Sequence, residues 1–216
     1  MAQHLDLEEQ EQLAELKHFW SKYGNLISTV LIVVFGSIAA WNGWNWWQRS
    51  QAANASALYA QVELAVQTND LERVQRSAAD IQSQFARTTY AQQASLLAAQ
   101  ALQQAGRTDA ARSALEWVAD KASDPGYQAV ARLRLAAILV DAKAHDDALR
   151  RLSGSMPAEF APLAADLRGD IYKLQGKATE AVAEYQKALA GLPADAEYRR
   201  LVEVKLTSLG AEVPRS

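Results

Sequence analysis

The chain has 216 residues, a length that allows one domain of ordinary size plus an appendage, or two small domains. It has no cysteine, which excludes a disulfide framework, thiolate metal sites and a cysteine nucleophile. Five acids, Asp6, Glu8, Glu9, Glu11 and Glu15, outweigh Lys17 and Lys22, so the whole formal charge of −3 falls in the first 48 residues and the rest is neutral. No basic domain remains to neutralise phosphates, and nucleic-acid binding is excluded on that ground. Few Pro and Gly occur among abundant Ala and Leu, a balance that favours helix over sheet.

The acidic tail comes first. Leu5, Leu13 and Leu16 sit among its carboxylates, and Asp6 is placed to cap a short helix with Glu9 as its partner three residues on. Such a helix is either a solvated lead into the next segment or a docking tail for a basic partner.

From Tyr23 to Gln48 the chain carries no charge, and Lys22 and Arg49 bracket this stretch. Its apolar centre, Leu26 to Trp41, spans about 24 Å as a helix, slightly short of a bilayer crossing that needs about 20 residues. Aromatic residues supply the missing length: Phe19, Trp20 and Tyr23 at one end, Trp41, Trp44, Trp46 and Trp47 at the other. Amphipathic rings prefer the headgroup level, so these two belts are expected to mark two membrane interfaces.

Other readings of the segment fare worse. A buried core helix rarely carries five Trp at its ends. A cleaved signal peptide has a basic leader, whereas this one is acidic, and the cleavage-like sequences Ala53-Asn54-Ala55 and Ala55-Ser56-Ala57 lie a dozen or more residues past Trp41. No later stretch suits a second span. Lys17 and Lys22 before the span against Arg49 after it orient the N-terminus toward the cytoplasm, which in a Gram-negative cell leaves the larger part periplasmic. The expected organisation is an acidic cytoplasmic tail over residues 1–22, an anchor over 23–48 and a helical domain over 49–216.

Beyond Gln48 the chain reads as successive helix pairs. First helices are predicted over Leu58–Val66, Ala91–Leu102, Ala129–Val140 and Leu163–Leu174. Each is punctuated by a polar or Gly-containing break, at Thr68-Asn69-Asp70, Ala105 to Asp109, Ala144 to Asp147 and Gln175-Gly176-Lys177.

These pairs repeat. The clearest unit runs from Ala165 to Pro193, with Gly169, Tyr172, Gly176, Ala181, Tyr185, Ala188, Leu189 and Pro193 at tetratricopeptide spacing; only its opening Trp position departs, occupied by Ala165. Packing explains the pattern: Gly169 and Ala181 let two antiparallel helices approach, Tyr172 and Tyr185 fill the space beside them, and Ala188 admits the next unit. Weaker copies carry Ala99, Leu102, Gly106, Ala111, Leu115 and Val118, then Ala136, Leu139, Ala148 and Leu152. A first, degenerate unit pairs Ser56–Gln67 with Leu71–Phe85.

The inner positions Val74, Ala111, Ala148 and Ala181 are 37, 37 and 33 apart, against about 34 for an ideal unit. The pairs Leu133-Arg134 and Leu167-Arg168 repeat at 34, and one extra loop residue near His145 is expected to reconcile the two registers. A final helix, Tyr198–Leu209, is expected to cover the open end through Leu201, Val204 and Leu206. The fold class is therefore all-α: one N-terminal transmembrane helix, a tetratricopeptide-like α-solenoid of about four helix pairs, and a C-terminal capping helix. An unrelated Ala-rich bundle is the alternative.

No catalytic constellation stands out. His4, His18 and His145 form no HExxH arrangement, and His145 is expected in a loop beside Asp146 and Asp147. Asp166 and Asp170 lie one turn apart, as paired carboxylates would, but a solvated or Arg168-paired face explains them as well. Phosphate-cradling and nucleophile-elbow motifs are absent. No catalytic, cofactor or metal site is expected, and the chain reads as a non-enzyme. By the tetratricopeptide register Leu133, Ala137, Asp166, Asp170 and Lys173 are expected to face a binding groove.

The combined architecture resembles the YfgM family, the ancillary SecYEG translocon subunits of proteobacteria. The resemblance rests on the acidic tail, the run Leu16-Lys17-His18-Phe19-Trp20-Ser21-Lys22-Tyr23-Gly24-Asn25, the span, and the repeat motifs Leu133-Arg134-Leu135-Ala136 and Ala165-Asp166-Leu167-Arg168-Gly169-Asp170 with the Gly176-Lys177 turn. It implies an inner-membrane anchor, a periplasmic repeat domain, and association with the SecYEG channel and with a membrane-anchored, parvulin-type periplasmic chaperone. It further implies help for newly translocated proteins leaving the channel, and a cytoplasmic tail linked to a stress-response regulator and to turnover. The family supplies no catalytic residues. Three functional readings follow: a translocon scaffold, a regulator acting through its acidic tail, and a periplasmic hydrolase, which lacks a nucleophile–base pair.

Overall fold

A computed structural model describes residues 7–212. His4, Leu5 and the Asp6 cap lie outside them. Among the described residues every regular element is a helix: α1 (Leu7–Gln67), α2 (Leu71–Phe85), α3 (Thr89–Gln104), α4 (Thr108–Lys121), α5 (Pro125–Asp141), α6 (His145–Leu152), α7 (Ala161–Leu174), α8 (Ala178–Gly191) and α9 (Glu197–Ser208). It divides into two compact units at Ser50/Gln51.

In the first unit, α1 is the one described helix long and apolar enough to cross a membrane. Its apolar side chains are bare: Ile32 is 71% and Phe35 65% exposed. A core helix of a soluble domain would bury them, so the core-helix reading fails here. Thr29 and Ser37 return their hydroxyls to the carbonyls of Asn25 and Val33, which satisfies both polar groups within the helix.

The second unit begins with the last part of α1. Ala55, Val62 and Ala65 are fully buried against Val74, Ala78 and Ile81 of α2 and Ala91, Ala94 and Ala98 of α3. Ala55 belongs to both cleavage-like sequences. Its burial in the first core makes it a structural position of the repeat unit.

Three further cores follow in chain order. Leu115 and Val118 of α4 pack with Leu135 of α5. Ala136 and Leu139 pack with Ala148 and Leu152 of α6 and Ile171 of α7. Ala165, Ala181, Tyr185, Ala188 and Leu189 pack with Val202 and Leu206 of α9. Each core joins one pair to the next, which is the construction of a solenoid.

One turn is used at every pair. Asn69, Gly106, Lys143 and Gly176 adopt φ of 54°, 76°, 59° and 75°. In each turn the following amide reaches back five residues: Asp70 to Ala65, Arg107 to Leu102, Ala144 to Leu139, Lys177 to Tyr172. The left-handed residue's own amide reaches back three, so the pattern is a Schellman cap that satisfies the carbonyls ending the first helix. The second helix then starts at once.

This regularity corrects the register argument. All four turns have the same length, so no extra loop residue sits near His145, and His145 is the first residue of α6. The 33-residue spacing holds for turn and core alike, and the 34-residue match of Leu133-Arg134 with Leu167-Arg168 does not carry structural equivalence. Arg134 is exposed, whereas Arg168 is partly buried and pairs with Glu184.

A second correction concerns α9. Val202 and Leu206 are fully buried, while Leu201 and Val204 are exposed. Val202 and Leu206 stand one turn apart on the same face, and Gly210, at φ 73°, repeats the Schellman cap with Ala211 reaching back to Leu206. Gly210 lies 34 residues after Gly176, so α9 is built as the first helix of a further unit.

Candidate functional site

The first helices of the pairs supply the candidate surface. Aligned on their turns, they set side chains in rows: Tyr59, Leu96, Leu133 and Asp166; Glu63, Gln100, Ala137 and Asp170; Val66, Gln103, Val140 and Lys173.

At the C-terminal end these rows are closed. Gly169 lies against Tyr185, and a Cβ there would stand 2.5 Å from the ring. That approach aims the Tyr185 hydroxyl at Asp170, to which it donates at 2.7 Å. Lys205 of α9 donates to both oxygens of Asp166, at 2.9 and 2.8 Å, and to Asp170 at 2.8 Å. The Tyr198 hydroxyl donates to Asp166 as well. Asp166 is 2% exposed. Its place in an open groove is therefore corrected: it lies beneath α9 as a buried, fully partnered carboxylate. Lys173 is exposed and donates to Ser208 of α9 at 3.1 Å.

This arrangement also answers the paired-carboxylate reading. The two acids share one lysine rather than a proton, and Arg168 pairs with Glu184 at 2.8 Å instead of with either of them. Burial, then the hydrogen bond to Asp170, pushes the Tyr185 hydroxyl well above the usual phenol range. Burial and the bond to Asp166 do the same for Tyr198. Both phenols remain neutral donors. Burial alone would raise the Glu184 carboxyl, but hydrogen bonds from Lys187 and Arg168 outweigh it and hold it below the usual range. Among the described residues no three His, Cys, Asp or Glu side chains converge to hold a metal.

The middle of the rows is open. Between α3 and α5 lies a recess of ≈220 Å³ lined by Ala99, Gln100, Gln103, Leu115, Arg134 and Ala137. Ala137 is thus brought to an open surface. Leu133 is half-buried and packs into the core of the third pair. Toward the N-terminus Tyr59 of the first row lies against Tyr90, ring centroids 5.9 Å apart, and Gln93 donates to the Tyr127 hydroxyl at 2.8 Å.

The remaining repeat positions are packing residues in place. Ala181 and Ala188 are fully buried, Tyr172 is half-buried with Lys177 over its ring, and Gly176 supplies the left-handed turn. The aromatic belt residues Phe19, Trp20, Tyr23, Trp41, Trp44, Trp46 and Trp47 are all exposed on α1; Phe19 with Tyr23 and Trp44 with Trp47 form ring pairs.

Sequence reasoning missed Lys205 and Tyr198. The signal existed in Gly210: placed in register with Gly176, it sets Lys205 beside the preceding helix at the level of Asp166 and Asp170. Gln100 and Gln103 were missed for want of a distinctive motif, and Arg134 is marked in the sequence only as part of the repeat motif Leu133 to Ala136.

An exposed apolar helix followed by a stacked helical repeat defines the class: a helical-repeat protein with a candidate N-terminal membrane span. The profile of the tetratricopeptide repeat-like domain family matches residues 17–211. The chain is 34% identical over 210 residues to an ancillary SecYEG translocon subunit of Neisseria gonorrhoeae, covering 97% of this chain and 100% of that one. A protein of the same description from Escherichia coli is 29% identical across 78% of this chain and 81% of its own, and one from Haemophilus influenzae is 26% identical across 84% and 89%. The chain belongs to the YfgM family.

Proposed function

We propose that this protein is a non-enzymatic scaffold accessory to the Sec translocon. It is anchored in the inner membrane by residues 23–48, with residues 1–22 cytoplasmic and residues 49–216 periplasmic. The observation that carries the reading is the near-complete match, over 97% of the chain, to a relative described as an ancillary SecYEG translocon subunit. The exposed aromatic belts and the lysines before the span support the anchor and its direction. Anchoring beside a channel raises the effective concentration of a weak binding surface without any new contact. In this reading the repeat domain engages the channel and a membrane-anchored, parvulin-type chaperone, and receives newly translocated chains. The acidic tail gives the alternative: a stress-response regulator acting through a cytoplasmic partner.

Orientation is directly testable because the chain has no cysteine. Gln12→Cys and Thr179→Cys place single thiols at exposed positions on either side of the span. A membrane-impermeant maleimide applied to spheroplasts labels Thr179→Cys and spares Gln12→Cys in the proposed orientation. The reverse pattern overturns it. Mild-detergent purification at native expression recovers SecYEG with the protein; recovery of cytoplasmic proteins alone transfers the function to the tail.

A further inference from the structure

We infer that the recess between α3 and α5 binds an acidic side chain carried on an extended polypeptide. Four observations lead there. First, Arg134 lines the recess, is exposed, and has no hydrogen-bond or ion-pair partner among the described residues. Several arginines of the stack are occupied, Arg107 by Glu72, Arg112 and Arg151 by Glu116, Arg168 by Glu184 and Arg199 by Glu203. Arg73, Arg76, Arg87 and Arg200 are exposed without such partners too, but Arg134 is the arginine that lines this recess. Second, no acid lines the recess, so the guanidinium meets nothing that would compete with an incoming carboxylate. Third, Gln100 and Gln103 are exposed, three residues apart on one face of α3, and likewise lack partners among the described residues. Fourth, the floor is apolar and small: Leu115 is fully buried, and Ala99 and Ala137 leave room for a side chain to enter.

The chemistry follows from the donor set. A guanidinium presents a planar fork of N–H groups that matches a carboxylate. Each glutamine amide offers both a donor and an acceptor, which is what a passing peptide unit requires. A small anion would leave the amide carbonyls idle, and a neutral peptide would leave Arg134 idle. A polypeptide with an Asp or Glu at the recess uses all three side chains. The register rows continue from the recess toward the N-terminus, through Gln100 and Gln103 to Glu63 and Val66, so an extended chain can lie along the first helices of the first three pairs. The rows past Ala137 are sealed by Lys205 and Tyr198, which confines the open surface to the first three pairs.

This assignment gives a ligand chemistry to the scaffold proposed above and rests on that reading only for the source of the polypeptide. It is tested on the full-length protein in detergent by fluorescence anisotropy. The probes are acetylated, amidated Gly/Ser peptides with a central Glu, Gln or Lys, and the Gln peptide with a free C-terminal carboxylate. The Glu peptide binds about tenfold or more tightly than the Gln peptide, the size of a charge-assisted pair. Arg134→Gln removes that preference, and Arg134→Glu turns it toward Lys; unchanged thermal melts of both variants show that the fold is intact. Equal affinity for the Glu and Gln peptides overturns the inference. So does tightest binding of the free-carboxylate peptide, which would make the site a chain-end receptor. Failure of every peptide to bind a protein that still co-purifies with SecYEG overturns the inference alone. Loss of that co-purification with the Glu preference intact removes the scaffold reading and leaves the site standing.

Discussion

Gly169 shows how much one residue decides. Its missing Cβ is the space occupied by the Tyr185 ring, and that ring in turn carries the hydroxyl that holds Asp170. Gly169→Ala gains helix propensity of about 1 kcal/mol, yet overpacking against an aromatic ring costs about 1–3 kcal/mol. Denaturant titration should show a net loss of stability; a gain would mean that Tyr185 can move aside freely. Lys205 is a second such residue. Lys205→Met strands Asp166, 2% exposed, with only Tyr198 as a partner. Breaking a buried pair from one side costs about 3–5 kcal/mol, so the melting temperature falls, and adding Asp166→Asn restores part of it. No recovery in the double variant would mean that the lysine acts through packing alone.

At the scale of elements, the repeated Schellman turn separates what glycine contributes from what the turn requires. The same left-handed corner is made by Gly106 and Gly176, by Asn69 and by Lys143. A Cβ in this conformation costs about 1–2 kcal/mol for ordinary residues. Lys143→Gly should therefore stabilise the third pair, and Gly176→Ala should destabilise the fourth by a similar amount, both read from thermal melts. The attachment of α9 has its own pH signature. Tyr185 and Tyr198 are held above the ordinary phenol range in the fold, so the unfolded chain releases their protons first as pH rises. Stability is full below about pH 10 and falls as pH climbs through and beyond it. Tyr198→Phe should flatten that alkaline fall, and an unchanged slope would remove Tyr198 from the account. Glu184 acts oppositely: held low, it stabilises above about pH 4.3 and loses that contribution on acidification.

For the whole molecule, two units answer to different solvents. The exposed apolar face of α1 is that of a candidate membrane span, where Val33→Lys and Phe35→Lys should each cost about 2.5–3.5 kcal/mol near the bilayer centre. Alkaline carbonate extraction should then release the variant while retaining the parent in the pellet. Retention of both would show that something other than the span anchors the chain.

Much of this was legible in the sequence. The uncharged stretch between Lys22 and Arg49, the helix pairs and the tetratricopeptide spacing around Gly169 and Tyr185 are local or periodic features. They follow from hydrophobicity, turn chemistry and side-chain size acting within one or two neighbouring helices. The burial of Asp166 was not legible, because its partners Tyr198 and Lys205 lie 32 and 39 residues away and act only once the stack brings α9 beside α7. The choice of Val202 and Leu206 over Leu201 and Val204 likewise depended on the angular register of α9, which a short amphipathic segment leaves open. The motif Leu133 to Ala136 marked Arg134 as a repeat position but not the recess beside it, which exists only where α3 and α5 of adjacent pairs leave space between them. The sequence alone determined the long apolar helix, the helix pairs and the repeat, because each depends on nearby residues. Tertiary structure decided which polar groups are spent on packing and which remain free to bind, because that depends on what the next repeat places opposite them.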